Sequence, residues 1–113
     1  MEKFNFSYDS DNDDLFMYLE GKKSNGAVEL GNFILDFDNK NNLVAIQILN
    51  ASEVISKIMS KVIKMNMIRE VKANIINFRN MEAVKFQIIT DTDKETANIL
   101  IPHIREKSPV LQY

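Results

Sequence analysis

The order of hydrophobic and polar residues in the first half of the chain is typical of β-hairpins. In Phe4-Asn5-Phe6-Ser7-Tyr8 the aromatic residues fall on one face of a strand. A second strand is predicted over residues 15–19, with aromatic residues opposite its aliphatic ones, which is typical of a central strand or of a sheet covered on both sides. The acidic cluster over residues 9–14 is predicted to turn the chain between these two strands.

A second hairpin is predicted over residues 33–37 and 43–49. Its turn, residues 38–42, contains three Asn residues, and Asn tolerates the left-handed backbone that tight turns require. All three glycines of the chain lie between Gly21 and Gly31, together with Lys22, Lys23, Ser24 and Asn25. This segment is therefore predicted to be a flexible loop that connects the two hairpins.

An amphipathic helix is predicted over residues 50–67. Asn50 can cap its first turn, and Glu53 stands where a capping box places an acidic residue. Apolar residues at helical spacing fill about half of the helix surface, so the helix is expected to lie on the sheet. These residues are Val54, Ile55, Ile58, Met59, Val62 and Ile63.

Residues 69–104 return to β-type alternation and predict a three-stranded meander, followed by a polar tail over residues 105–113. The predicted fold class is α+β: an antiparallel sheet from β-hairpins, one amphipathic helix packed on it and a C-terminal β-meander. The length of 113 residues fits a single domain, residues 1–113. The pattern leaves open whether the meander extends the first sheet or forms its own layer.

Composition removes several classes of function. The absence of cysteine excludes a disulfide scaffold, a thiolate zinc site and a catalytic thiol. With one histidine, a metal site built from two or three imidazoles is excluded as well. No cofactor is expected. The chain shows neither a signal peptide nor an apolar run long enough to span a membrane, so a cytoplasmic protein is expected.

The two halves of the chain carry opposite net charges. Residues 1–50 contain nine acidic and four basic residues, a net charge of −5, whereas residues 51–113 contain seven acidic and ten basic residues, a net charge of +3. This difference favours packing of one half against the other, or pairing across a homodimer. The methionines at and after the helix (Met59, Met65, Met67 and Met81) are expected to fill the core. The stretch Met65-Asn66-Met67-Ile68 leaves the apolar arc of the helix, and an apolar helix end there also favours a homodimer.

Four groups of residues could carry chemistry. Asp9, Asp11 and Asp13 match positions of a calcium loop, but the flanking strands and Asp14 at the glycine position favour a solvated hairpin turn. His103 has no orienting carboxylate that the sequence can place, and Asp36 with Asp38 gives no support for a paired-carboxylate mechanism. We therefore predict no catalytic residues and no metal site.

The fourth group is a basic stripe formed by Lys57, Lys61 and Lys64 on the polar side of the predicted helix. Such a stripe is either a solvated helix face or a contact for phosphate and anionic surfaces. These three lysines are the only binding residues that the sequence suggests. No aromatic residues are interleaved with them, so nucleic-acid binding is not expected.

Three sequence blocks carry a family resemblance. They are Tyr8-Asp9 followed by Asp14-Leu15-Phe16-Met17-Tyr18-Leu19, then Ile34-Leu35-Asp36-Phe37-Asp38, then Asn42-Leu43-Val44-Ala45-Ile46-Gln47-Ile48-Leu49-Asn50-Ala51-Ser52. On these blocks residues 4–52 resemble domain-of-unknown-function family 2283. The resemblance implies a small β-meander followed by a helix, and no established activity. Some relatives are encoded beside small toxin-like proteins, which implies partner binding.

The sequence thus predicts a non-catalytic protein-interaction module, a homodimer with a further protein partner, of which an antitoxin-like protein is one version. The alternative is a small-molecule or ion-binding protein, or an enzyme, in which the loop between Gly21 and Gly31 closes over a pocket between sheet and helix.

Overall fold

A computed structural model describes residues 1–78 and 81–101, which form a curled antiparallel sheet of eight strands with one short helix. The strands are β1 (Glu2–Asp9), β2 (Asp14–Tyr18), β3 (Gly26–Leu30), β4 (Phe33–Phe37), β5 (Leu43–Ile48), β6 (Ile68–Phe78), β7 (Met81–Thr90) and β8 (Lys94–Ile101). The helix is α1 (Ala51–Met59), and a short 3₁₀ turn follows at Met65–Met67. The predicted α+β class is confirmed.

Strand β1 joins the two halves of the chain into one sheet. The strand order is β3-β4-β5-β2-β1-β6-β7-β8. Residues 5–9 of β1 pair with β2, with Phe6 opposite Met17, and residues 2–4 pair with β6, with Phe4 opposite Val71. The C-terminal meander therefore extends the first sheet and does not form a separate layer.

The predicted loop between Gly21 and Gly31 is wrong in its second half, where the chain forms the edge strand β3. This strand pairs along its whole length with β4, from Gly26 opposite Phe37 to Leu30 opposite Phe33. Gly31 adopts φ +60 in the tight turn that follows, a conformation that favours glycine. The sequence did not predict this strand because only two of its five residues are partly buried, so its hydrophobic and polar residues alternate only weakly.

The predicted helix over residues 50–67 is too long, because α1 ends at Met59. Ser60 adopts a left-handed conformation (φ 56), and its N–H bonds to the Lys57 carbonyl. Beyond this point buried Ile63 and Met65 alternate with exposed neighbours, which is the period of extended chain. Val62, expected in the apolar helix face, is 83% exposed.

The hydrophobic core lies on the concave side of the curled sheet, under α1. Ala51, Ile55 and Met59 of the helix are buried against it. Met65 is also buried and Met67 partly so, which removes the argument that an apolar helix end requires a second copy. In the described part of the chain no helix has the length and apolarity needed to cross a membrane.

Some predictions fall outside the described residues. These are the environment of His103, the turn at Arg79 and Asn80, the end of the meander after residue 101 and the tail over residues 105–113.

Candidate functional site

The three predicted binding lysines do not share one helix face. Lys57 lies on α1 and forms an ion pair of 3.5 Å with Glu53. Lys61 follows the helix and contacts the β7–β8 turn, with Nζ 3.2 Å from Asp93 and 3.1 Å from Glu95. Lys64 is exposed in the extended segment before the 3₁₀ turn. Anion binding by these lysines stays a prediction.

The acidic cluster forms the hairpin turn between β1 and β2, as expected from its sequence. Asp9 closes the turn by accepting hydrogen bonds from the backbone N–H groups of Asp11 (3.0 Å) and Asn12 (3.3 Å). The carboxylate of Asp13 is engaged elsewhere, at the start of α1. Among the residues that the structure describes, no three His, Cys, Asp or Glu side chains are placed to hold a metal ion.

Asp13 links the first hairpin to the helix. Its carboxylate accepts hydrogen bonds from the Tyr8 hydroxyl (2.5 Å), the Ser52 hydroxyl (2.7 Å) and the Ser52 N–H (3.1 Å), and its carbonyl accepts one from the Ala51 N–H (2.8 Å). Asn50, the predicted cap, has φ 52 and forms no side-chain cap bond. The helix is therefore capped by a residue from a distant turn, which the local capping pattern could not reveal.

These contacts set the charge states of the cluster. The hydrogen bond to Asp13, followed by burial, raises the pKa of Tyr8 to about 12. Burial raises the pKa of Asp13, but the hydrogen bonds that Tyr8 and Ser52 donate together outweigh it, so that its pKa lies below the usual value. The cluster at neutral pH is thus an ionised carboxylate held by neutral donors, an arrangement that stabilises a structure rather than one poised for proton transfer.

Replacing Asp13 by Asn is expected to bring the pKa of Tyr8 back towards the ordinary value of about 10. Because the folded pKa is raised, the stabilisation from this pair is complete below pH ~10 and is lost as the pH rises towards 12. Ultraviolet titration of tyrosinate formation in the folded protein measures the shift, with Tyr8→Phe identifying the Tyr8 step. An unchanged titration in Asp13→Asn would contradict the assignment.

The convex side of strands β2–β5 carries an acidic and aromatic surface. Phe16 is 43% exposed and stacks on Tyr18 with ring centroids 5.2 Å apart and an interplanar angle of 19°. Register places Gln47 between Phe16 and Ile34, and pairs Glu29 with Ile34. We call this surface the acidic face and define it by Asp14, Phe16, Tyr18, Glu29, Ile34 and Asp36.

The convex side of the C-terminal strands carries the opposite charge. Lys72 of β6 faces Lys3 of β1 in the register, and Lys85 and Lys94 lie on the same side of β7 and β8. Leu100, 55% exposed, shares a row with Ala83 and Ile76. We call this surface the basic face and define it by Lys3, Lys72, Ile76, Lys85, Lys94 and Leu100.

A cleft of about 510 Å³ opens at the end of β1 remote from the acidic turn. Its walls include apolar Phe4 and Leu43, and charged Lys22 and Asp38. Asn74 also lines it, and the buried Oδ1 atom of Asn74 has no hydrogen-bond partner in the described part of the chain. Small-molecule binding in a pocket between sheet and helix, the alternative function, stays a prediction.

Comparisons with known proteins extend the resemblance seen in the sequence. A family model described as "Protein of unknown function (DUF2283)" matches residues 5–52. An uncharacterised protein of Methanocaldococcus jannaschii is 30% identical over 110 residues, which make up 97% of this chain and 82% of that protein. A protein of Methanosarcina mazei named "Putative hypoxanthine phosphoribosyltransferase" is 38% identical over 47 residues, 42% of this chain and 38% of that protein. No solved structure matches the chain.

Proposed function

The chain belongs to the DUF2283 family, matched over residues 5–52, and on that premise we propose that it is a non-catalytic protein-interaction module that forms a homodimer. The observation that supports this proposal best is the exposed aromatic stack of Phe16 and Tyr18 on the acidic face. A further protein partner, including a toxin-like one, is a finer form of the same proposal.

The acidic face has the composition of a protein interface. Aromatic side chains are enriched at interface centres, where they provide large contact areas at low entropic cost, and polar residues surround them. Here the stacked rings are flanked across the strands by Ser7 and Gln47 beside Phe16, and by Asn5 beside Tyr18. Leaving a large ring 43% exposed to water is unfavourable in a monomer, and burial against a second protein removes that cost.

Replacing Phe16 by Ser tests this proposal. Light scattering at tens of micromolar is expected to give the wild-type protein twice the monomer mass of 13.0 kDa. Loss of a central aromatic residue costs about 1.4 kcal/mol or more, so Phe16→Ser is expected to weaken the dimer at least tenfold.

Val62→Ser is the matched control, because Val62 is also an exposed apolar residue (83%) but lies beyond the acidic face. It is expected to leave the dimer intact. Thermal unfolding of both variants separates loss of association from loss of folding. A wild-type protein of monomer mass, or a well-folded Phe16→Ser variant with unchanged dimer affinity, would contradict the proposal.

A further inference from the structure

We propose that the homodimer forms between unlike surfaces: the acidic face of one copy contacts the basic face of the other. This inference rests on the proposed function and specifies its partner surface. A twofold axis repeats such a contact, so one dimer contains two of them. Each contact joins the acidic face of one copy to the basic face of the other copy.

The distribution of charge supports pairing of unlike surfaces. The acidic face contains Asp14, Glu29 and Asp36, and no lysine or arginine lies on the convex side of β2–β5 among the described residues. Contact between two acidic faces would bring these carboxylates together as they lose water, which is unfavourable. The acidic face therefore requires a partner surface that carries positive charge.

The basic face supplies this charge on the same chain. Glu70, on the same side of β6 as Lys72, contacts Lys3 (3.2 Å) and Lys72 (3.5 Å). Lys85 and Lys94 form no ion pair within the part of the chain that the structure describes. Two lysines thus remain to meet the carboxylates of a second copy.

The apolar residues of the two faces also match. The acidic face presents Phe16 beside its carboxylates, and the basic face presents Leu100, 55% exposed, at the end of a row of small and aliphatic side chains. Contact between the faces can bury both exposed apolar groups while acidic and basic residues surround them. A polyanion such as DNA could neutralise the lysines, but it would leave Phe16 and the acidic face exposed to water. A second copy of the chain covers both faces and is therefore the occupant that we propose.

Charge reversal on one face at a time tests the pairing. Variant A carries Glu29→Lys and Asp36→Lys, and variant B carries Lys85→Glu and Lys94→Glu. In a homodimer of either variant, the two faces that meet carry charge of the same sign. Each variant is therefore expected to lose at least tenfold in dimer affinity. An equimolar mixture of A and B restores opposite charges at both contacts and is expected to recover the dimer mass in light scattering.

The outcomes separate this inference from the proposed function. If variant B alone stays dimeric while Phe16→Ser becomes monomeric, the acidic face mediates the dimer but the basic face does not, and the inference is overturned. If the wild-type protein is monomeric, the proposed function itself fails.

Recovery of the dimer in the mixture supports pairing of unlike faces, provided that thermal unfolding shows both variants to be folded. Retention of a DNA duplex by the wild-type protein that variant B abolishes, with variant B still dimeric, would assign the lysines to a polyanion instead.

Discussion

Replacing Phe86 by Ala is expected to lower the free energy of unfolding of the whole chain by about 4 kcal/mol. Phe86 lies at the centre of β7 and is fully buried. Its ring contacts the ring of Phe33 with centroids 6.5 Å apart. Removing it deletes a large apolar group and leaves a cavity that the surrounding strands fill only in part.

The position of this ring pair makes the prediction informative about the whole fold. Phe33 belongs to β4 and Phe86 to β7, and four strands separate β4 from β7 in the sheet order. The two rings meet only because the sheet curls over its concave side. Loss of Phe86 is therefore expected to destabilise the family-matched half of the chain as well as the C-terminal strands.

Chemical denaturation followed by circular dichroism measures the loss in free energy of unfolding, and hydrogen exchange shows which strands are destabilised. We expect one cooperative transition with a lower midpoint and faster exchange in β2 and β5 as well as in β7. Phe86→Leu is the matched control, since it keeps most of the apolar volume and is expected to cost less than half as much. Two separate transitions, with residues 5–52 unaffected, would show instead that the halves fold independently.

Most of the fold could be predicted from the sequence because its strands alternate strongly. Leu15 and Met17 are fully buried while Phe16 between them is exposed, which is the period that predicts a strand. The interpretation of this strand as central is also confirmed, since β2 lies between β5 and β1. Strand β3 was missed because an edge strand with little buried surface has little alternation to detect.

The features that the sequence did not predict depend on contacts between distant residues. The helix cap is supplied by Asp13, which is 39 positions away from Ser52. The predicted helix is too long because Ile63 fits both the 3.6-residue period of a helix and the two-residue period of an extended chain. Only the packing of Met65 and its neighbours shows that the chain is extended there. The opposite charges of the two halves were visible in the sequence, but the strand register was needed to place them on two faces.

Replacing Asp13 by Ala is expected to cost about 3 kcal/mol, an unusual amount for a residue in a surface turn. Loss of a helix cap alone costs about 1–2 kcal/mol, and the half-buried hydroxyl of Tyr8 loses its acceptor as well. For a domain of this size, the melting temperature is then expected to fall by more than about 10 °C. Asp11→Ala in the same turn is the control, since its exposed side chain is outside this network, and a change within about 0.5 kcal/mol is expected there.

The pH dependence of this cost distinguishes the charged network from simple packing. Because hydrogen bonds hold the pKa of Asp13 below its usual value, its contribution is complete above pH ~4, where the unfolded carboxyl is ionised. The contribution is lost as the pH falls through the lower pKa of the folded state. The difference in stability between the wild-type protein and Asp13→Ala should therefore be constant near neutral pH and shrink in acid. A difference that stays constant down to the acid unfolding limit would mean that Asp13 acts by packing, and that the carboxylate does not hold the helix to the hairpin.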